Sequence, residues 1–262
     1  MKKIISYLVT CKNEGDQIKP LLELLYKYKD LSECIILDDF STDLQTNKIL
    51  EDASSTDDNF YKLYKHALNN NYSDHKNYGK SLCSGEYIFQ LDADEIPSES
   101  LLQSIKDLID INRDVDVFWI PRINNFIGVT DIEANQWGWK LTKIPALVQE
   151  KAISINSYEY KFLKLNGYII KEFPYNNLLI NIIYNPPIVN APDQQGRLFK
   201  NIPSLKWERR LHEKIEGAKV FSHIPLDSEY VIFHNKTIAK QIETNLRYNK
   251  QFSAEDNNGF RY

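Results

Sequence analysis

Acidic residues collect at three places in the first 95 positions: beside Asn13 at Glu14, at Asp38 and Asp39, and in the run Asp92-Ala93-Asp94-Glu95. Carboxylates two positions apart in a turn can face one point, where they raise each other's pKa unless a cation sits among them. A hard divalent ion is the natural occupant. All-oxygen ligation suits Mg²⁺ or Mn²⁺, and Mg²⁺ commonly uses one or two protein carboxylates together with substrate phosphates. The spacing Asp-x-Asp occurs twice, and context separates the two. Asp114 and Asp116 precede an apolar run and read as a solvated loop, whereas Asp92 and Asp94 directly follow Tyr-Ile-Phe-Gln-Leu and are stopped by Pro97. The glycine fingerprints GxGxxG and GxxxxGK[ST] are missing, since the only glycines before residue 120 are Gly15, Gly79 and Gly85. A nucleoside diphosphate bound here would be neutralised by a metal on acids and by a few basic side chains.

The elements that must position these acids follow from periodicity. Ile4 to Thr10 is a β-branched strand, and Ile18, Leu21, Leu22 and Leu25 mark the apolar face of a helix over Gln17 to Tyr28. Glu33 to Asp38 is a second buried strand, and Ser41-Thr42-Asp43 can cap a short helix through Ile49 and Leu50. A weaker strand at Tyr61 to Tyr64, a helix over Asp74 to Cys83 closed by Gly85, and a strand at Tyr87 to Leu91 come next. Pro97 and Ser98 open a helix carrying Leu101, Leu102, Ile105, Leu108 and Ile109, and Val115 to Ile120 is a fifth strand. This alternation predicts an α/β fold with a mostly parallel central sheet and helices on both faces. In such sheets ligands bind outside the carboxyl ends of the strands, which is where all three acidic sites fall.

After Pro121 the alternation stops. The organisation expected is one domain over 1–262, with a nucleotide-binding half at 1–110, an acceptor-binding half at 111–252 holding an unusual insert at about 126–192, and a polar, fraying tail at 253–262. Tyr230 to Phe233 reads as a late strand, and Ile238, Ile242 and Leu246 as one face of a closing helix. Composition is that of an ordinary globular chain, 42% hydrophobic and 26% charged. With a net charge of −4 and no basic face, duplex nucleic acid is not an expected partner. Cys11, Cys34 and Cys83 are odd in number and form no CxxC, which fits a reducing, cytoplasmic compartment. Met1 to Thr10 is too short an apolar run for a signal peptide, and Leu178 to Tyr184 falls far below the roughly 20 residues of a membrane span, so no transmembrane segment is expected.

Thr10-Cys11-Lys12-Asn13-Glu14, then LDDFSTD at 37–43 and HKNYGKSLCSGEYIFQLDADE at 75–95, resemble in order and spacing the family-2 glycosyltransferases of GT-A fold. Gln195 to Lys200, followed by Trp207 and Leu211-His212-Glu213, looks like the second half of bacterial members. The resemblance covers about 3–125 and 193–236. It implies a transferase moving a sugar from a nucleoside-diphosphate sugar, a UDP-sugar in view of Asp39, to a hydroxyl on a glycan, a lipid-linked or another acceptor. Thr10, Glu14, Asp38 and Asp39 would lie on the nucleoside side, with Asp39 accepting from a uracil N–H. Lys76 stands where the family often has Arg near the base or phosphates, Asp92 near the ribose, and Asp94 on the Mn²⁺ or Mg²⁺, with Asp92 and His234 as further metal ligands. Glu213 would be the general base of an inverting single displacement, with His212 orienting it or meeting the diphosphate. Trp137, Trp139 and Trp207 could stack on sugar faces, although core packing is the default for tryptophan. Two other classes compete: a sugar nucleotidyltransferase, which would need a glycine-rich loop where only Gly15 is found, and a non-catalytic binding protein on a degenerate transferase scaffold.

Overall fold

The computed structural model describes residues 3–56, 58–142, 149–151, 169–175, 178–184, 188–225 and 229–257. They fall into two compact units, one drawn from Met1–Arg122, Gln194–Phe233 and Arg247–Arg261, the other from Ile123–Asp193 and His234–Leu246. The first unit carries nearly all the predicted site residues.

Its centre is four parallel strands, β1 (Ile5–Cys11), β2 (Ser32–Asp38), β3 (Tyr61–Lys65) and β4 (Tyr87–Asp92). β1 pairs with β2 and with β4, and β2 pairs with β3, so β1 runs down the middle. Period-2 alternation sends successive side chains to opposite faces. Ile5, Tyr7 and Val9 join one buried cluster, together with Leu21 and Leu25 of α1 (Ile18–Lys27), Leu50 of α2 (Leu44–Ser54) and Leu101, Ile105 and Ile109 of α4 (Glu99–Ile111). Leu8 joins the other, with Ile35, Leu37, Ile88 and Phe199. That second face is covered by α3 (Tyr72–Leu82) and by a hairpin of β12 (Lys206–Glu208) and β13 (Lys214–Glu216), which contributes Trp207 and Ile215. The helices do lie on both faces. Trp207 is a core residue, edge-on to Phe199 at 5.1 Å between ring centroids.

Register brings the acids to one edge. Thr10 lies opposite Asp92, and Cys11 opposite Asp38. Gly79 lets α3 sit close to the sheet, because a Cβ there would lie 2.7 Å from Leu8 Cδ1. The helix ends at Leu82; Gly85 instead allows the chain to pass Ser6, whose backbone nitrogen would be 2.5 Å from an added Cβ.

Three features differ from the expected pattern. A short strand, β5 (Glu95–Pro97), follows Asp94 directly. β6 starts at Val117 and runs through Pro121 to Ile127, since a proline interrupts a strand only where its missing N–H is required. The Gln195–Lys200 motif lies in a 13-residue strand, β11 (Ile188–Lys200), which pairs antiparallel to β4 with Leu198 opposite Phe89 and makes the sheet mixed. Strand order through this part of the sheet is β3-β2-β1-β4-β11-β6, and β14 (Phe221–His223) pairs parallel to β6.

The second unit contains α5 (Asp131–Gln136), opened by a capping box of Thr130 and Glu133, and short antiparallel pairings of β7 (Leu141–Thr142) with β11 and of β8 (Gln149–Lys151), β10 (Leu178–Tyr184) and β9 (Ile169–Tyr175) with one another. Trp137 and Trp139 pack edge-on at 4.8 Å, and Trp139 meets Phe126 at 4.6 Å. A late strand, β15 (Ile232–Thr237), leads into α6 (Ile238–Gln251). Near the end of the described chain Asn257 is 1% exposed, and its Oδ1 lies 2.8 Å from His212 Nε2. Residues 258–262 lie outside the described residues. Among the described residues no helix is long and apolar enough to cross a membrane.

Candidate active site

The site is assembled where β1, β2 and β4 end. At the end of β2 the backbone turns sharply because Asp38, fully buried, spends its carboxylate on Ser41, accepting from the Ser41 amide at 3.0 Å and from its hydroxyl at 2.5 Å. Asp38, expected on the nucleoside side, clamps this turn. The neighbouring Asp39 donates its N–H to Cys11 O at 2.9 Å and accepts from Lys12 Nζ at 2.6 Å and from the Leu68 amide at 2.8 Å. Asn13, in the left-handed region with φ +52°, ties the end of β1 to the same turn: its Oδ1 accepts from the Thr42 and Asp43 amides, and its N–H donates to Ser41 Oγ. Glu14 stands just before the 3₁₀ turn Gly15–Gln17 that leads into α1, with no capping bond from its side chain.

At the end of β4 a polar network has formed in the sheet interior. Asp92 Oδ1 accepts from Thr10 Oγ1 and Gln90 Nε2, each at 2.9 Å, and lies 3.4 Å from Lys76 Nζ; its Oδ2 accepts from Arg197 at 2.8 Å. Burial alone would push the Asp92 carboxyl up, but Lys76 and Arg197 outweigh it and hold it well below the usual carboxylate range. Lys76, buried on α3, also reaches Glu213 Oε1 at 2.5 Å. Burial opposes its charge, yet Asp92 and Glu213 raise its pKa above the ordinary lysine value. Arg197 is shared between Asp92, Gln90 and Glu95, and Glu95 is held further by Arg122 at 2.9 Å. Lys76, Arg122 and Arg197 thus offset Asp92, Glu95 and Glu213.

Thr10, Lys76, Asp92 and Glu213 therefore meet in one cluster although Glu213 lies 137 residues beyond Lys76. The delivery of Glu213 has a visible cause. Arg209 and His212 both take left-handed backbone, φ +80° and +52°, bending the β12–β13 connection inward, while Gly217 at φ +93° lets the strand that follows pass Ser204. His212 makes its resolved contacts with Asn257 and with the edge of Tyr248, 6.4 Å between centroids. His234 belongs to the second unit, where its Nδ1 lies 2.8 Å from Asn124 Oδ1. Asp94 is half-buried on the turn between β4 and β5. Among the described residues no three His, Cys, Asp or Glu side chains are grouped as ligands for a metal. Asp92 is neutralised by a lysine and an arginine. One carboxylate at Asp94 together with phosphate oxygens remains a donor set that Mg²⁺ accepts.

The model of the glycosyl transferase family 2 matches residues 6–165, more than half of the sequence. The chain belongs to that family. Among curated proteins it is similar to the glycosyltransferase GlyG of Streptococcus pneumoniae serotype 4, 28% identical over 137 residues, which are 52% of this chain and 43% of GlyG. Among solved structures it is similar to residues 1–349 of TarS from S. aureus, with a TM-score of 0.52 and 18% identity over 88% of this chain and 60% of that one. The same TarS fragment in complex with UDP gives a TM-score of 0.53 at 17% identity, covering 92% of this chain and 63% of that one. The chain thus spans less than half the length of GlyG and under two thirds of the TarS fragment. The fold is α/β of GT-A type.

Within this family-2 chain, Gln90, Glu95, Arg122 and Arg197 complete the cluster; none is among the expected site residues, although Glu95 and Arg197 stand within the motif runs at 75–95 and 195–200. A signal did exist for two of them: Gln90 interrupts the apolar strand YIFQL, and Arg197 directly precedes the buried pair Leu198-Phe199. A polar residue inside a strand that must be buried demands a buried partner.

Proposed function

We propose that this chain transfers a sugar from a UDP-sugar to an acceptor hydroxyl, with inversion, by a single displacement. The observation that carries the reading is the bridge at Lys76, whose ammonium lies 2.5 Å from Glu213 and 3.4 Å from Asp92. It puts a carboxylate from the second half of the chain beside the donor-side acid at the carboxyl edge of the sheet. Family membership and the GT-A fold support a nucleotide-sugar donor, and the TarS fragment, which shares that fold, was crystallised with UDP and with UDP-GlcNAc.

In this reading Asp39 receives the base, while Thr10, Glu14 and the Asp92 network receive the nucleoside. Asp94 and the diphosphate oxygens would hold Mg²⁺ or Mn²⁺, which supplies Lewis-acid stabilisation of the departing diphosphate. Lys76 and Arg197 keep Asp92 ionised and fixed, so the floor of the site does not reorganise as charge develops. Glu213 takes the proton from the acceptor hydroxyl, and Lys76 fixes the position from which it does so. The halves 1–110 and 111–252 then serve donor and acceptor respectively.

The test has two arms. A ligand that binds only the native state stabilises by about 2.7 kcal/mol at a hundredfold excess over Kd. UDP should raise the melting temperature with Mn²⁺ or Mg²⁺ present, and much less with chelator or in Asp94→Asn; equal shifts in every condition would count against the metal. Glu213→Gln should keep UDP-sugar binding and lose transfer, and undiminished transfer would remove Glu213 as the base.

A further inference from the structure

Between the anchored residues Asp39 and Ser41 stands Phe40, with φ +49° and 53% of its surface exposed. Both features run against preference. Left-handed backbone is an outlier for a bulky side chain, and a large aromatic gains nothing from facing water. The turn leaves Phe40 no way to relax: Asp38 holds Ser41 through its amide and hydroxyl, Ser41 Oγ accepts from the Asn13 amide, and Asp39 is held through its own amide, Lys12 and the Leu68 amide. A strained, rigidly mounted and exposed aromatic next to a ligand-side carboxylate is the kind of outlier that points to function rather than to packing.

We propose that Phe40 is the platform on which the nucleobase of the donor stacks, Asp39 reading the base edge while Phe40 covers its face. The proposal rests on the UDP-sugar reading above. Base–aromatic stacking needs only a π-face and a fixed geometry, and the turn supplies the second.

The experiment titrates the full chain and its Phe40→Asn and Phe40→Tyr variants with UDP and with inorganic pyrophosphate, which shares the diphosphate and lacks the base. Asparagine tolerates left-handed backbone, so Phe40→Asn should melt no lower than wild type while its affinity for UDP falls tenfold or more and its affinity for pyrophosphate stays within twofold. Phe40→Tyr should bind UDP like wild type. UDP affinity of Phe40→Asn within twofold of wild type overturns the proposal. So does an equal loss for UDP and pyrophosphate, which would make Phe40 a shaper of the loop. Wild-type chain that binds no UDP at all sinks the UDP-sugar reading itself, and this is seen before any variant is made.

Discussion

Lys76 is the residue on which the most charge depends. It is buried and faces Asp92 and Glu213 at once, so its removal strands Glu213 in a poorly solvated place and leaves Asp92 to Arg197 alone. Breaking a buried ion pair from one side typically costs about 3 to 5 kcal/mol. Lys76→Met should therefore unfold in urea with about 3 kcal/mol less stability than wild type, and Lys76→Arg should recover much of the loss; a Met variant as stable as wild type would show that the pair is not a buried one. His75, its neighbour, makes a second prediction. Burial pushes its pKa down to about 4, with Asp39 pulling it upward and His66, Lys76 and Lys12 pushing it further down, and its Nδ1 lies 3.3 Å from that of His66. The unfolded chain titrates this imidazole near 6.5, so between that pH and about 4 the unfolded state binds more protons and stability falls as the pH drops. The difference amounts to about 3 kcal/mol at its full extent. His75→Gln should lose markedly less stability than wild type between pH 7 and pH 4.5 in denaturant titrations.

At the scale of elements, the β12–β13 hairpin matters because it delivers Glu213. Its return depends on Gly217: a Cβ there would lie 2.0 Å from Ser204 O, on a backbone already at φ +93°. Gly217→Ala should cost more than about 3 kcal/mol and abolish transfer, because neither the carbonyl nor the left-handed backbone can give way. Gly196, by contrast, faces side-chain methyls and not backbone, Ile215 Cγ2 at 3.0 Å and Val117 Cγ1 at 3.3 Å, and is not left-handed, so Gly196→Ala should cost less in the same denaturation experiment. The elements also show what could be read in advance. β1, β2, β4, α1 and α4 announced themselves because each buries a continuous run or stripe of Ile, Leu and Val. β11 did not, since Pro192, Asp193, Gln194, Gln195 and Gly196 interrupt any alternation, and what makes the segment a strand is its pairing with β4, more than a hundred residues earlier in the sequence.

On the scale of the whole molecule the same division holds for the site. Thr10, Lys76, Asp92 and Glu213 were legible because each sits in a short pattern of residue types. Arg122 sits in no such pattern, and although Glu95 and Arg197 stand inside the runs LDADE and Gln195–Lys200, their pairing does not show there, because which charges become neighbours in an interior is a property of the closed fold. The bonds from Asp38 to Ser41 are hidden for a related reason: a side chain that could serve a ligand and one that locks a turn look alike in sequence.

β11 lies directly beside β4, and Arg197 on it contacts Asp92 and Glu95. A fragment truncated at residue 165, where the family-matching stretch stops, would lose both together. Its β4 would become a naked edge of apolar residues, open to any other extended chain, with Asp92 and Glu95 deprived of Arg197. Such a fragment should sediment as aggregate, whereas the intact chain stays in the supernatant. A strand from beyond the stretch that the family model matches is thus what keeps that stretch from sticking to itself.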